Sequence, residues 1–171
     1  RSEGVGLTEI GLFALVGFPY NWKFVWAPLM DRYVPPFLGR RRGWMLITQI
    51  GLIISIAALG FIDPVFSVGL VAYGAAAVAF CSASQDVVLD AYRRELLHDD
   101  ELGLGNSIHV QAYRLAGLVP GSIGVILGDY LPWSTVFIVM AGFMMIAVVA
   151  TIWIDEAVDA SIAPLSLRAA V

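Results

Sequence analysis

Three uninterrupted apolar blocks constrain this chain more than any other feature of its sequence. Residues 44–62, 64–85 and 130–154 contain no Asp, Glu, Lys or Arg. At about 1.5 Å of rise per helical residue, each block is long enough to cross a hydrocarbon layer of about 30 Å. A water-soluble core helix seldom needs a run of that length. A soluble domain is also about a quarter charged, against 14% charged and 59% hydrophobic residues here. The chain therefore reads as an integral membrane protein. Strands are disfavoured, because outer-membrane barrels alternate polar and apolar positions over about ten residues and these blocks are continuously apolar.

Punctuation between the apolar runs predicts an all-α, polytopic transmembrane bundle of about five helices, over residues 7–30, 44–62, 66–92, 107–128 and 135–154. Pro19 and Lys23 interrupt the first. A charged, Pro-rich loop from Asp31 to Arg42 follows it, and Asp63-Pro64 closes the second. Residues 93–106 form a polar connection, with Arg93-Arg94-Glu95 and His98-Asp99-Asp100-Glu101 read as an exposed loop. Residues 155–171 are of mixed polarity and read as a cytoplasmic tail or the start of an inter-domain loop. The opening Arg1-Ser2-Glu3 has no basic n-region, so no signal peptide is expected and the chain is read as a piece of a longer protein. The remaining helices of that protein are its expected partners, together with the lipid bilayer.

Orientation follows from the Lys and Arg content of alternate connections. One set holds Arg32, Arg40, Arg41, Arg42, Arg93, Arg94 and Arg168; the other holds only Arg1. That bias places the Arg-rich loops in the cytoplasm. Trp44, Trp133 and Trp153 fall near predicted helix ends, where aromatic belts lie.

Four charges remain within the predicted spans: Lys23, Asp86, Asp90 and Arg114. An ionised side chain in hydrocarbon costs at least about 2.5–3.5 kcal/mol, so such residues face a protein interior or a watery cavity and pair. Counted from the predicted ends, Lys23 and Arg114 lie about 12 Å inside the cytoplasmic boundary, Asp86 about 10 Å, and Asp90 about a turn nearer water. Asp86 and Asp90 are four residues apart and share a helix face, as do Gln111 and Arg114 at a spacing of three. These residues are expected to line a path for substrate and protons. Cationic neighbours favour the carboxylate and desolvation favours the neutral acid, so movement of the partners would load and unload a proton. A static salt-bridge cluster holding the helices together is the alternative, and the two are compatible. Lys23 and Arg114 would suit the carboxylates of an anionic solute.

Other candidates carry less. His109 has the pKa range for proton traffic but starts a helix near the surface, where a histidine is ordinarily solvated; His98 falls in the polar loop. Cys81 lies in an apolar block and reads as a small packed residue, and one cysteine allows neither an internal disulfide nor a metal-ligand spacing. Gly117, Gly121, Gly124 and Gly128 permit close helix contact, and Pro120 a bend or hinge. No P-loop, Ser-His-Asp setting, zinc motif or dinucleotide fingerprint occurs. No enzyme activity, cofactor, metal or nucleic-acid partner is expected.

The segment Asp31-Arg32 with Gly39-Arg40-Arg41-Arg42 resembles the signature loop between the second and third helices of major-facilitator transporters. Ala27 stands where that signature has its leading Gly, and residues 33–38 lengthen the gap. Those departures suit one branch. Phe18-Pro19-Tyr20, Lys23-Phe24, Trp26-Ala27-Pro28-Leu29-Met30-Asp31-Arg32 and Pro35-Pro36-Phe37-Leu38-Gly39-Arg40-Arg41-Arg42-Gly43-Trp44 are similar to the AmpG-type muropeptide permeases. So are Ala79-Phe80-Cys81-Ser82-Ala83-Ser84-Gln85-Asp86, Asp90-Ala91-Tyr92 and Tyr113-Arg114-Leu115.

The resemblance spans about residues 7–154 and implies part of the N-terminal six-helix domain, the five helices being its second to sixth. It implies import of anhydromuropeptides across the bacterial inner membrane by proton symport, in peptidoglycan recycling. It also implies a cytoplasmic gating role for Asp31, Arg32, Gly39, Arg40 and Arg41. Acetyl-CoA transporters share parts of the layout, so a carrier for acetyl-CoA or another anionic solute stays open. A membrane scaffold subunit that transports nothing also remains possible.

Overall fold

The computed structural model describes residues 11, 13–63 and 67–157. A 3₁₀ turn (Phe13–Val16) leads into five helices: α1 (Phe18–Arg32), α2 (Arg40–Gly60), α3 (Val68–Leu96), α4 (Leu102–Tyr130) and α5 (Trp133–Trp153). No strand occurs among the described residues. Helices are the expected outcome for such blocks, because in lipid each backbone amide and carbonyl must be satisfied within its own segment. By length and composition α2, α3, α4 and α5 can each cross a membrane. The described part of α1 has 15 residues, short of the 7–30 expected; residues 7–10 and 12 lie outside the described residues.

Most other differences from the expected bounds lie at the arginine-rich end, where charged residues extend α2 and α3. α2 begins at Arg40 rather than 44, since Arg40, Arg41 and Arg42 form its first turn. α3 runs through Arg93, Arg94 and Glu95 to Leu96 rather than ending at 92, with Asp90 and Arg93 paired at i,i+3. α4 starts at Leu102, so the connection expected over 93–106 shrinks to residues 97–101. At the far end α4 continues to Tyr130 and α5 opens at Trp133.

α2 is the spine of the bundle, packed between α3 and α5, with α1 lying on α3. Lipid removes most of the hydrophobic drive between spans, so close contact of small side chains does the packing. Ala72, Ala79 and Ala83 are buried along one face of α3. A Cβ on Gly51 of α2 would come within 3.1 Å of the Cys81 sulfur on α3, and one on Gly60 within 2.7 Å of the Phe137 Cβ on α5. Near the arginine-rich end Met30, Met45 and Val88 form a core flanked by Trp26, Trp44 and Ile154.

α4 stands apart. None of its residues is buried among the described residues, and it leans on α5 near Gly124 and Met140. Among the described residues nothing lies within 4 Å of a Cβ added at Gly117, Gly121 or Gly128, so the close contact their spacing permits is not made within this part of the bundle. Pro120 lacks an amide hydrogen, and around it the helix widens into a π turn (Val119–Ile123), with the Gly124 N–H bonding to the Val119 carbonyl.

Candidate functional site

Two groups of charged side chains follow from this arrangement. The first closes the arginine-rich end. Arg41 on the first turn of α2 donates through Nη1 to Asp31 at the end of α1, at 2.5 Å. Its Nη2 pairs with Glu95 at the end of α3, and its Nε lies 3.0 Å from both oxygens of that carboxylate. Arg40 reaches the same Glu95 through Nη2 at 3.0 Å. Both guanidinium side chains are only 6% exposed and Glu95 is 19% exposed. One carboxylate shared by two enclosed arginines, with Asp31 as a second anion, ties α1, α2 and α3 by charge-assisted bonds.

The chain leaving α5 completes the group. Glu156 accepts from the Arg41 backbone N–H through Oε1 at 2.7 Å and from the Arg42 N–H through Oε2 at 3.1 Å. A carboxylate here satisfies two of the unpaired amides that begin α2 and complements the positive end of its dipole. Arg42 reciprocates at the C-terminus of α5, donating to the Thr151 and Ile152 carbonyls at 3.1 and 2.7 Å. The start of α2 is thus capped from the segment that follows α5, and the end of α5 by a side chain of α2. Gly39, immediately before α2, is required twice over: its φ is +84°, and a Cβ would lie 2.7 Å from the Glu156 Cδ. Of the residues expected at this end, Asp31, Gly39, Arg40 and Arg41 come together here. Arg32 is exposed and makes no ion pair with a described residue.

The two acidic partners, Glu95 and Glu156, were not among the expected site residues. By sequence Glu95 falls in an expected exposed loop and Glu156 in an expected tail; residues 158–171 of that tail lie outside the described residues. The available signal was electrostatic: a triple arginine at a helix start needs anions when two of the three are enclosed.

The second group lies between helices, a cavity of about 430 Å³. α3 contributes Asp86 and Asp90, one turn apart as their spacing required, and α4 contributes His109, Tyr113 and Arg114. α1 contributes Tyr20, whose hydroxyl donates to Ser82 Oγ at 2.8 Å and so fixes α1 against α3. One turn along α1, the half-buried Lys23 acts electrostatically on Asp86 without lining the cavity. Gln111 is exposed and lies outside it. Among the described residues neither Lys23 nor Arg114 makes an ion pair with a carboxylate; Asp90 pairs with Arg93 at 2.9 Å. Lys23, Asp86 and Arg114 thus stand about this cavity without a direct ion pair among them.

Apolar spans, an end tied by enclosed ion pairs and an ionisable cavity among three helices define a polytopic helical membrane protein. Residues 4–169 match the sequence profile of the Major Facilitator Superfamily. The chain belongs to this superfamily. It is 45% identical over 170 residues to the anhydromuropeptide permease of Escherichia coli K12, covering 99% of this chain and 35% of the relative. It is 51% identical over 155 residues to an uncharacterized protein of Haemophilus influenzae, covering 91% of this chain and 36% of the relative. A Rickettsia conorii protein named "Putative transporter AmpG 1" is 32% identical over 149 residues, with 85% of this chain and 36% of the relative covered. The chain thus spans about a third of the length of these relatives.

Proposed function

We propose that the full-length protein containing this chain is a proton-coupled permease that imports anhydromuropeptides across the bacterial inner membrane, with the arginine-rich end facing the cytoplasm. The observation that carries the reading is the cavity in which Asp86, Asp90 and Arg114 meet between α3 and α4, beside Lys23 of α1. Ionisable groups held inside a membrane bundle are retained where a solute or proton needs them. The likeness to the Escherichia coli permease over nearly the whole chain supports the substrate class.

In this reading Lys23 and Arg114 meet the carboxylates of the glycopeptide, Gln111 serves its polar groups when the full-length protein closes around the cavity, and Asp86 carries the proton. The Asp31–Arg41–Glu95–Arg40 cluster keeps the cytoplasmic end shut while the opposite end is open. Its release, together with withdrawal of Glu156 from the start of α2, opens the path inward. No bond is made or broken in the substrate, so the role is that of a carrier and not an enzyme.

The test is uptake of radiolabelled anhydromuropeptide by cells expressing the full-length protein with Lys23→Ala or Arg114→Ala. Loss of a charge-assisted contact of about 1.5–3 kcal/mol predicts uptake at limiting substrate reduced at least about tenfold for each. Unchanged uptake in both variants refutes the assignment. Competition by unlabelled anhydromuropeptide but not by acetyl-CoA separates this substrate from the rival anion.

A further inference from the structure

We propose that His109, not Arg114, is the cation through which α4 acts on Asp86, a positioning residue that sets when the carboxylate takes up its proton. α4 is exposed along most of its length, but Leu102, Gly105 and His109 are half-buried. Their spacings of three and four place them on a single stripe of the helix. That stripe faces α3: a Cβ on Gly105 would run into the Leu97 side chain, just past the end of α3. Arg114 lies off this stripe and is exposed. His109 lines the cavity together with Asp86 and Asp90. Lys23, Asp90 and His109 lie close enough to act electrostatically on Asp86.

The chemical consequence lies in the kind of cation. An ammonium or guanidinium is in general charged throughout the neutral range, whereas imidazole is the side-chain type whose charge changes there. The groups around His109 are Tyr20 and Lys23 from α1, Asp86 and Asp90 from α3, and Tyr113 and Arg114 from α4. Asp90 is already engaged by Arg93. Asp86 therefore faces an ammonium, that of Lys23, and an imidazole, that of His109. A shift of α4 against α3, or a change in pH, alters the second while leaving the first.

This inference rests on the proton-coupled reading above, and the experiment separates the two. Initial uptake of radiolabelled anhydromuropeptide is measured against external pH for the full-length protein, with membrane levels followed by immunoblot. His109→Gln removes the cation, so uptake persists to higher pH; His109→Lys makes it permanent, so uptake is cut off at lower pH. Each curve moves by about half a pH unit or more. Opposite displacements support the proposal, because a purely structural histidine cannot distinguish the sign of its replacement. Curves that overlay the wild type overturn it, as does equal loss of uptake or of protein in both variants without displacement. Asp86→Asn, run alongside, abolishes the pH dependence if the underlying reading holds. A wild-type profile in that variant overturns the reading itself, whatever His109 does.

Discussion

Replacing Glu95 by Gln removes a carboxylate that both enclosed arginines share. Arg40 and Arg41 are each 6% exposed and Glu95 is 19% exposed, so the charges have little water to fall back on. Deleting one partner of a buried pair costs about 3–5 kcal/mol. Gln keeps an acceptor oxygen, and Asp31 still faces Arg41 at 2.5 Å, which brings the expected loss to about 2–3 kcal/mol. At 1.4 kcal/mol per factor of ten, the equilibrium holding this end together falls by about 30- to 150-fold. The assay is denaturant unfolding of the full-length protein in mixed micelles, for Glu95→Gln, Arg41→Gln and the double variant. The cycle should give a coupling of about 1.5–3 kcal/mol. It should change little with added salt, since an enclosed pair is weakly screened. A single-variant loss within about 0.5 kcal/mol, or additive losses, refutes the shared-carboxylate argument.

Gly39→Ala places a Cβ 2.7 Å from the Glu156 Cδ at a φ of +84°. The backbone term alone is about 1–2 kcal/mol, and the displaced carboxylate adds to it, so the same unfolding assay should show a loss of about 2–3 kcal/mol. Glu156→Ala leaves the Arg41 and Arg42 amides without their acceptor and should cost about 1–2 kcal/mol. Combined with Gly39→Ala it should add little, because both act through one contact; full additivity counts against the capping role.

The helical class was legible because it depends on a coarse quantity, the length of uncharged runs, which residues 44–62 and 130–154 supply without help from tertiary structure. The pairing of Asp31 with the Arg40-Arg41 turn was legible as a motif. Its counter-charges were not, because Glu95 and Glu156 stand 54 and 115 residues from Arg41 and meet it only once α3 and α5 have packed on α2. The same long-range effect misplaced the helix ends. Arg93, Arg94 and Glu95 look like a solvated loop by composition, yet they form the last turn of α3, steadied by the Asp90 pair and the enclosed arginines. Within the cavity, the turn shared by Asp86 and Asp90 followed from the period of the helix alone. The choice between His109 and Arg114 did not, since both sit on α4 and only the packed bundle shows which half-buried stripe faces α3.

The most direct test of the transport account is the proton movement that accompanies solute uptake. Vesicles containing the full-length protein and an internal pH-sensitive dye are given anhydromuropeptide from outside, without an imposed gradient. The wild type should acidify the lumen as substrate enters, and Asp86→Asn should take up substrate downhill with no acidification. Equal acidification in the variant would leave Asp86 without a part in coupling and would contradict the account.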